Sequence, residues 1–175
     1  MIKTSEVIDQ GELRRRARRI KLVLTDCDGV LTDTGVYYSH TGEEMKRFSI
    51  RDGMGVEMLR EAGIETAIIT RENTQIVQTR SEKLRMPYLF MGVVDKAQFL
   101  TEILARTHLG IDQLGYIGDD VNDLDIMRLI AASGLTAVPN DAMHIVTAEA
   151  HFHTPANGGH GAFRDFADWI LHFLD

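Results

Sequence analysis

The sequence predicts an α/β fold in which a parallel β-sheet is covered by helices on both faces. Short apolar runs alternate along the chain with longer segments in which apolar residues recur at helical spacing. The runs are apolar at successive positions, which is typical of strands buried on both faces of a parallel sheet. Strands and helices that alternate in this way imply right-handed crossover connections between neighbouring strands.

Each element follows from its own pattern. Strands are predicted over residues 21–25, 65–70, 88–90, 114–118 and 135–138, and helices over 54–62, 73–85, 96–108, 122–131 and 161–174. In the helix over 54–62, Met54, Met58 and Leu59 share one face, and Gly63 suits the position after the last turn because glycine adopts positive φ readily. The basic run RRRARRI (14–20) is interpreted as the solvated face of a first helix.

A β-hairpin is predicted next to the first strand. Residues 35–48 read as two short strands around the turn SHTG, which gives a hairpin flap over about 33–48. Only 41 residues separate Asp28 from Thr70, and one helix and one strand fill the interval from Thr70 to Lys96. We therefore expect no cap domain and a single domain over residues 1–175.

Composition limits the possible partners. A formal net charge of -7 and a pI near 5.5 argue against a nucleic-acid partner, which would require a basic surface. No apolar run approaches the roughly 18 residues of a membrane span. Cys27 is the single cysteine, so an internal disulfide is excluded and a reducing compartment is favoured. We expect a cytoplasmic protein.

Polar residues follow several of the predicted strands. Asp26 and Asp28 come directly after the first strand, Thr70 closes the second, and Asp119 follows the strand at 114–118. Lys96 opens the helix that follows the short strand at 88–90. Because ligands of open parallel sheets bind beyond the carboxyl ends of the strands, these side chains are expected to line one rim.

Phosphoryl transfer through an aspartyl phosphate is the chemistry that this set suits. Asp26 is expected to be the nucleophile, because a carboxylate can attack phosphorus and form a covalent intermediate that water hydrolyses. Asp28 is expected to protonate the leaving alcohol and to accept a proton from the water. Thr70 can donate a hydrogen bond to a phosphoryl oxygen, and Lys96 can balance the transferring charge.

A divalent cation is expected at the same rim. A carboxylate and a phosphate repel each other, so a hard cation with oxygen ligands, Mg²⁺, is needed between them. Asp26 and Asp119 supply the negative charge for the ion, and Asp28 completes the predicted metal set. Asp120 and Asp123 form the supporting acidic motif of the segment GDDVND.

Two other kinds of metal site fit the sequence less well. A calcium loop that begins at Asp26 would place Val30 at its fifth position and Leu31 where glycine is required. His151 and His153 share a strand face, but the sequence offers no third ligand beside them. Cys27 itself is interpreted as a small buried side chain on the far face of the first strand.

The motifs resemble those of a known superfamily. DCDGV, IIT, the lysine of VVDK and GDDVND are similar to the four motifs of the haloacid dehalogenase superfamily of phosphatases. DGVLTD, RDGMG, GVVDK, GDDVNDL and GGHGAFRD together resemble the 3-deoxy-D-manno-octulosonate 8-phosphate phosphatase family across roughly residues 19–172. The resemblance implies a Rossmann-like core without a cap domain, dependence on Mg²⁺, a homotetramer, and hydrolysis of the terminal phosphate of a 2-keto-3-deoxy sugar acid.

The resemblance also suggests how a site without a cap is covered. In the family the hairpins pack together in the tetramer, and the aromatic pair Tyr37 and Tyr38 suits such an interface. The glycine-rich segment at Gly158, Gly159 and Gly161 either swings over the site or forms a plain loop into the last helix. Both interpretations are compatible with the sequence.

One departure from the family leaves the substrate open. After the motif threonine the eight-carbon enzymes commonly carry glycine and arginine, whereas this chain has Arg71 and Glu72. Relatives that act on nine-carbon ulosonic acid 9-phosphates have glutamate there and a lysine that matches Lys83. Lys83 lies eleven positions, about three helical turns, after Glu72, so both are expected on one helix face with Arg80, either as substrate contacts or as a surface stripe.

The candidate substrate-binding residues are Arg51, Glu72, Arg80, Lys83 and Arg164. The expected substrate is 3-deoxy-D-manno-octulosonate 8-phosphate, with a nine-carbon, sialic-acid-like 9-phosphate as the alternative. A catalytically silent oligomerisation module is a further alternative, because such domains can be appended to larger enzymes. The complete acidic set argues against that module.

Overall fold

A six-stranded parallel sheet forms the centre of the molecule. The computed structural model describes residues 8–174, and residues 1–7 and 175 lie outside the described part. The strands are β1 (Leu22–Thr25), β2 (Thr32–Ser39), β3 (Gly42–Phe48), β4 (Glu65–Ile69), β5 (Tyr88–Phe90), β6 (Leu114–Ile117), β7 (Leu135–Val138) and β8 (Phe152–His153). The order in the main sheet is β5-β4-β1-β6-β7-β8, with every neighbouring pair parallel. The predicted parallel α/β fold is confirmed.

The helices cover this sheet. They are α1 (Gln10–Ala17), α2 (Ile50–Glu61), α3 (Gln75–Lys83), α4 (Lys96–Thr107), α5 (Leu124–Ala131), α6 (His144–Thr147) and α7 (Ala162–His172), and 3-10 turns precede β6 and α5. None of the helices in residues 8–174 has the length and apolarity that a membrane span requires. The prediction of one domain over 1–175 includes residues outside the described range, so it stays a prediction.

Apolar side chains fill both faces of the sheet. Along β1, Val23 points into a core formed with α1, α2 and α7, whereas Leu22 and Leu24 point into a second core formed with α4 and α5. This alternation explains why β1 reads as an uninterrupted apolar run. Cys27 is fully buried in the first core, as the sequence predicts.

Two helix starts differ from the prediction. α2 begins four residues earlier than expected because the side chain of Ser49 caps it, accepting a hydrogen bond from the Arg51 amide. In the same helix Met54 is exposed, so only part of the predicted apolar face is core. Gly63 follows α2 with a φ of 77°, as expected.

The second difference concerns α3, which is capped by Thr74 and therefore begins at Gln75. Glu72 precedes this cap and is not part of the helix. The expectation that Glu72 and Lys83 lie three turns apart on one helix face is therefore wrong. Lys83 and Arg80 do belong to the last turn of α3.

The hairpin predicted over about 33–48 is confirmed as the antiparallel pair β2 and β3. Its surface carries three exposed apolar side chains, Tyr37, Tyr38 and Met45, which are 59%, 72% and 59% exposed. Within the described chain, this hairpin and α2 are the elements between Asp28 and β4. The site is therefore flanked by a flap rather than by a cap domain.

The basic run near the N-terminus is only partly solvated. Arg16 is 8% exposed, and its guanidinium donates hydrogen bonds to the carbonyl groups of Ala131, Ala132 and Gly134 at the end of α5. The interpretation of the whole run as a solvated face is therefore wrong for Arg16. This arginine satisfies carbonyl groups that the end of a helix leaves without partners.

Candidate active site

The carboxyl ends of the central strands carry the predicted site residues. Asp26 follows β1, and its amide donates to the Ile117 carbonyl of β6 at 3.0 Å. Thr70 follows β4 and is fixed by its amide, which donates to the Phe90 carbonyl of β5 at 2.9 Å. These backbone bonds tie the polar residues to the sheet.

Asp26 is buried with one carboxylate oxygen committed and one nearly free. Oδ1 accepts from the Cys27 amide at 2.7 Å and lies 3.0 Å from Lys96 Nζ. Oδ2 has only a long contact, 3.5 Å, with the side-chain amide of Asn122. Burial and the charge of Asp123 raise the pKa of Asp26 to about 7, although Lys96 opposes the change. Oδ2 is therefore the Asp26 oxygen without a close donor among residues 8–174.

Lys96 is held between two aspartates. Its Nζ lies 2.6 Å from Asp123 Oδ1 and 3.0 Å from Asp26 Oδ1, and its side chain is fully buried. Burial alone would lower the pKa of Lys96, but the charges of Asp26 and Asp123 outweigh it and raise the pKa above its ordinary value. The buried hydroxyl of Tyr116 donates to the same oxygen of Asp123 at 2.5 Å. Tyr116 was not among the predicted site residues, because an aromatic side chain inside a strand resembles ordinary core.

The other oxygen of Asp123 organises the loop after β6. Oδ2 accepts from the amides of Asp119 and Asp120 at 2.9 and 3.3 Å. Both oxygens of Asp123 are thus occupied by protein donors. Asp120 itself turns outward and accepts from the Val121 amide at 2.6 Å.

Carboxylate oxygens converge at this point. Among the described residues, Asp26, Asp119 and Asp123 offer oxygens that all lie within 4.8 Å of one another. Asp119 Oδ1 is buried and has no hydrogen-bond partner within residues 8–174. Burial and the charges of Asp26 and Asp123 raise the pKa of Asp119 to about 8. Because Asp123 is saturated, Asp26 and Asp119 are the two carboxylates with oxygens free for a hard divalent cation.

Asp28 lies outside this carboxylate cluster. Its oxygens both lie 2.8 Å from Nζ of Lys46, which belongs to β3 of the hairpin. Burial would lower the pKa of Lys46, but the hydrogen bonds and charge of Asp28 raise it. Direct metal contact by Asp28 stays a prediction. Lys46 was missed in the sequence, where a lysine in a short strand resembles a solvated residue.

Thr70 follows β4, which lies on the other side of β1 from the strand that precedes Asp119, β6. Its Oγ1 accepts a hydrogen bond from the Glu72 amide at 3.1 Å, and its carbonyl accepts from the Val93 amide at 3.0 Å. The hydroxyl keeps its proton available for another acceptor. Glu72 is exposed in the loop that leaves this point.

A basic cavity of about 410 Å³ lies between the hairpin and α3. Its lining residues are Lys46, Phe48, Gln75, Ile76, Thr79, Arg80 and Lys83. Arg80 is positioned there by a 2.8 Å hydrogen bond to the Ser49 carbonyl and by the Phe48 ring, 5.2 Å from its guanidinium carbon. The structure therefore brings Arg80 and Lys83 together with Lys46.

The other two candidate arginines lie elsewhere. Arg51 lines a separate cavity of about 370 Å³ together with Arg47 and His160. Arg164 is paired with Asp168 one turn along α7, with Nε–O distances of 2.8 and 2.9 Å. Neither guanidinium lines the basic cavity beside Lys83.

The glycine-rich segment, Gly158 to Gly161, is packed against the loop that follows β1. The Gly159 amide donates to the Val30 carbonyl at 2.8 Å, and Arg47 donates to the Gly159 carbonyl at 2.8 Å. A β-carbon on Gly158 would overlap the Gly29 carbonyl. The segment is thus closely packed against the loop after β1, which favours a plain loop over a segment that swings across the site.

The chain is similar to known proteins in sequence and in structure. No protein-family model matches the chain. It is 37% identical over 157 residues to a 3-deoxy-D-manno-octulosonate 8-phosphate phosphatase of Yersinia pestis, covering 90% of this chain and 82% of that protein. It is 34% identical over 159 residues to the enzyme of the same name from Haemophilus influenzae, covering 91% and 87%.

Among solved structures, one similar protein is the 3-deoxy-D-manno-octulosonate 8-phosphate phosphatase of Moraxella catarrhalis in complex with magnesium ion, phosphate ion and KDO. The TM-score is 0.87 at 30% identity, and the match covers 94% of this chain and 93% of that one. The likeness therefore extends over nearly the whole of both chains.

Proposed function

This chain belongs to the 3-deoxy-D-manno-octulosonate 8-phosphate phosphatase family of the haloacid dehalogenase superfamily, and we propose that it hydrolyses 3-deoxy-D-manno-octulosonate 8-phosphate through an aspartyl phosphate. The observation that carries the proposal is the arrangement around Asp26. Its Oδ2 lacks a strong donor, while Lys96 lies 3.0 Å from Oδ1. A nucleophilic oxygen is thus left free beside a buried cation.

The first half of the reaction transfers the phosphoryl group to the protein. Asp26 Oδ2 attacks phosphorus, a new O–P bond forms, and the bond from phosphorus to the sugar oxygen breaks. Asp28 gives a proton to that oxygen, so the sugar acid leaves as an alcohol. Lys96 and the Thr70 hydroxyl oppose the negative charge on the phosphoryl oxygens.

The second half releases phosphate. Asp28, now a carboxylate, takes a proton from water as the water oxygen attacks phosphorus, and the bond between phosphorus and Asp26 breaks. Inorganic phosphate leaves and Asp26 is regenerated. Asp123 does not touch the substrate in this scheme, but it holds Lys96 and the loop that carries Asp119.

Asp26 and Asp119 are the residues proposed to hold Mg²⁺, with Asp28 as the third predicted contact. The partnerless Oδ1 of Asp119 and the all-oxygen donor set fit a hard divalent cation. The ion, when bound, supplies positive charge between the nucleophilic carboxylate and the phosphate.

The basic cavity is proposed to receive the carboxylate end of the sugar acid. Arg80 and Lys83 line it, and an arginine suits a carboxylate through paired hydrogen bonds. Arg51 and Arg164 remain candidate contacts only if they are contributed by a neighbouring subunit. The nine-carbon 9-phosphate remains the alternative substrate because Glu72 lies in the loop next to Thr70.

The proposed assembly is a homotetramer built through the hairpin. Its support is the family resemblance and the exposure of Tyr37 and Tyr38, which together present an aromatic surface. The cytoplasm is the proposed location, since Cys27 is the single cysteine and is buried as a free thiol.

Phosphate release from 3-deoxy-D-manno-octulosonate 8-phosphate, measured with Mg²⁺ and with excess chelator, tests the proposal. We expect turnover that requires Mg²⁺ and that falls by at least about a thousandfold in Asp26→Asn, because the nucleophile is lost. An Asp26→Asn variant that folds and keeps more activity than this would contradict the assignment. Absence of turnover with every phosphomonoester would favour the silent module.

A further inference from the structure

The hairpin contacts the catalytic loop through two side chains that reach the same carboxylate. Lys46 of β3 places Nζ 2.8 Å from both oxygens of Asp28. Thr32, the first residue of β2, donates from Oγ1 to Asp28 Oδ1 at 3.2 Å. Each strand of the hairpin thus supplies a donor to the residue that follows the nucleophile by two positions.

Lys46 is buried on a strand that is otherwise largely exposed. The side chain of Lys46 is 1% exposed, whereas Met45 is 59% exposed and the side chain of Arg47 is 48% exposed. Burial of an ammonium group is unfavourable unless it is paired, and an apolar side chain of similar size would often serve folding equally well. Packing alone therefore does not account for a lysine here.

A second carboxylate flanks the lysine. Glu43 Oε1 lies 3.7 Å from Lys46 Nζ, and this oxygen is buried without a hydrogen-bond partner. An ammonium group has three N–H donors, and two of them suffice for Asp28. Lys46 is therefore hydrogen-bonded to a carboxylate of the loop after β1 and lies within ion-pair distance of a carboxylate of its own strand.

We propose that the hairpin belongs to the catalytic machinery of its own subunit, with Lys46 as the positioning residue that orients the Asp28 carboxylate toward the leaving oxygen and Thr32 as its second support. The inference rests on the proposed function, because it assigns a task to the flap in that reaction. It differs from an interface role, since Lys46 faces inward while Tyr37 and Tyr38 face outward.

Orientation matters because proton transfer requires heavy atoms within about 2.6 to 3.2 Å. Asp28 follows β1 at the start of a loop, so its carboxylate can rotate unless side chains hold it. Three contacts, two from Lys46 and one from Thr32, restrict that rotation. Loss of Lys46 is expected to reduce kcat and to leave KM nearly unchanged, because Asp28 acts on the reacting bond.

A double-mutant cycle on Lys46→Met and Asp28→Asn tests the proposal. Turnover is measured with 3-deoxy-D-manno-octulosonate 8-phosphate and with nitrophenyl phosphate, whose leaving group needs no proton, so that rates stay measurable in the Asp28→Asn background. With the sugar phosphate, we expect Lys46→Met to lower kcat about tenfold or more in the wild-type background and less than about threefold in Asp28→Asn. With nitrophenyl phosphate, the loss from Lys46→Met should be less than about threefold in both backgrounds. Although Lys46 lines the basic cavity, its ammonium group is already paired with both oxygens of Asp28, so KM should change less than about threefold.

Arg47→Met is the matched control, since it removes a cation from the next position of the strand, where the side chain faces the glycine-rich segment. Its effect on kcat should be the same in both backgrounds. Thermal unfolding reports whether each variant folds. If Lys46→Met does not fold, Thr32→Val takes its place and should show the same pattern with a smaller loss.

The outcomes separate the inference from the proposed function. If the wild type hydrolyses the phosphate ester but the losses from Lys46→Met and Asp28→Asn multiply, Lys46 does not act through Asp28 and the inference is wrong. A rise in KM with unchanged kcat would also overturn it, by making Lys46 a substrate contact. If the wild type hydrolyses no phosphomonoester, the proposed function itself fails.

Discussion

Gly29 lies directly against the carboxylate of Asp119. A β-carbon on Gly29 would overlap Oδ2 of Asp119 and come within 2.7 Å of Oδ1, and the φ of Gly29 is 94°. The loop after β1 and the loop after β6 can therefore approach each other only because residue 29 has no side chain. The distance between the proposed nucleophile, Asp26, and the proposed metal ligand, Asp119, depends on this contact.

Gly29→Ala should displace Asp119 and lower kcat at least about a hundredfold, with a weaker apparent affinity for Mg²⁺. The measurement is turnover as a function of Mg²⁺ concentration. Gly63→Ala is the control, because Gly63 also has a positive φ, 77°, but has no atom within 4 Å of the added carbon. Equal losses of activity in the two variants would show that backbone strain, not the contact, is responsible.

The metal-free protein should lose stability as the pH rises from about 6.5 to about 8.5. The pKa of Asp26 is raised to about 7 and that of Asp119 to about 8, so the folded state retains protons that the unfolded carboxyls have already lost. A rise in pH then ionises the folded carboxyls in an unfavourable environment, and the free energy of unfolding falls. Thermal unfolding with chelator, at several pH values, measures the effect.

Two other buried groups, His151 and Asp52, change the stability mainly at lower pH, which is why the test begins near pH 6.5. Burial raises the pKa of Asp52 to about 6, so its contribution is nearly complete by about pH 6.5. Burial lowers the pKa of His151 to about 4, so this residue opposes the decline until the unfolded histidine has lost its proton near pH 7.5, and the two aspartates outweigh it. Asp119→Asn should flatten the decline, and Mg²⁺ should stabilise the wild type more at pH 8.5 than at pH 6.5. A stability that rises with pH across this window in the metal-free wild type would contradict the prediction.

Arg16→Met should destabilise the fold by about 2 to 4 kcal/mol, since it leaves carbonyl groups at the end of α5 without their charged donor. Urea unfolding measures the change. Arg15→Met is the control, because Arg15 pairs only with Glu12 on the exposed side of α1 and should cost under about 1 kcal/mol. Similar losses in the free energy of unfolding for the two variants would contradict the capping role of Arg16.

The sequence predicted five of the six strands of the main sheet, all but β8, and the rim at which the candidate site residues lie. Strands buried on both faces must be apolar at every position, so β1, β4 and β6 stand out from the chain. The carboxyl ends of parallel strands meet at one edge, which is why Asp26 and Asp119 could be assigned to one site although 92 residues lie between them.

The partners of long side chains could not be predicted from the sequence. Periodicity tells which face of a strand or helix a residue occupies, but not what an extended side chain reaches. Lys46 and Arg16 both belong to largely exposed elements, and their partners are 18 and more than 110 residues away in the chain. The position of Glu72 outside α3 has another cause, because Thr74 caps this helix and the helix therefore begins only at Gln75.

Glu72→Arg should shift the preference toward the eight-carbon acid by at least about tenfold, roughly 1.4 kcal/mol of discrimination, if Glu72 reads the substrate. The measurement is kcat/KM for the eight-carbon 8-phosphate and the nine-carbon 9-phosphate. Glu82→Arg is the control, since it makes the same charge change on the exposed side of α3, where Glu82 accepts from Gln78. An unchanged ratio would leave Glu72 as an ordinary surface residue.

Replacement of both Tyr37 and Tyr38 by serine should convert the proposed tetramer into smaller species, because it removes the exposed aromatic surface of the hairpin. Light scattering coupled to size-exclusion chromatography measures the mass. A wild type that is monomeric and fully active would contradict the proposed assembly. A variant that keeps the tetramer mass would place the interface elsewhere.

The central position of β1 also sets an order of events during synthesis. β1 pairs with β4 on one side and with β6 on the other, so its backbone bonds are complete only when residue 117 is available. Asp119 and Asp123 follow still later, and the Gly159 amide that supports the loop after β1 comes later again. A growing chain therefore carries the proposed nucleophile, Asp26, before the acidic loop and the glycine-rich segment around it have been synthesised.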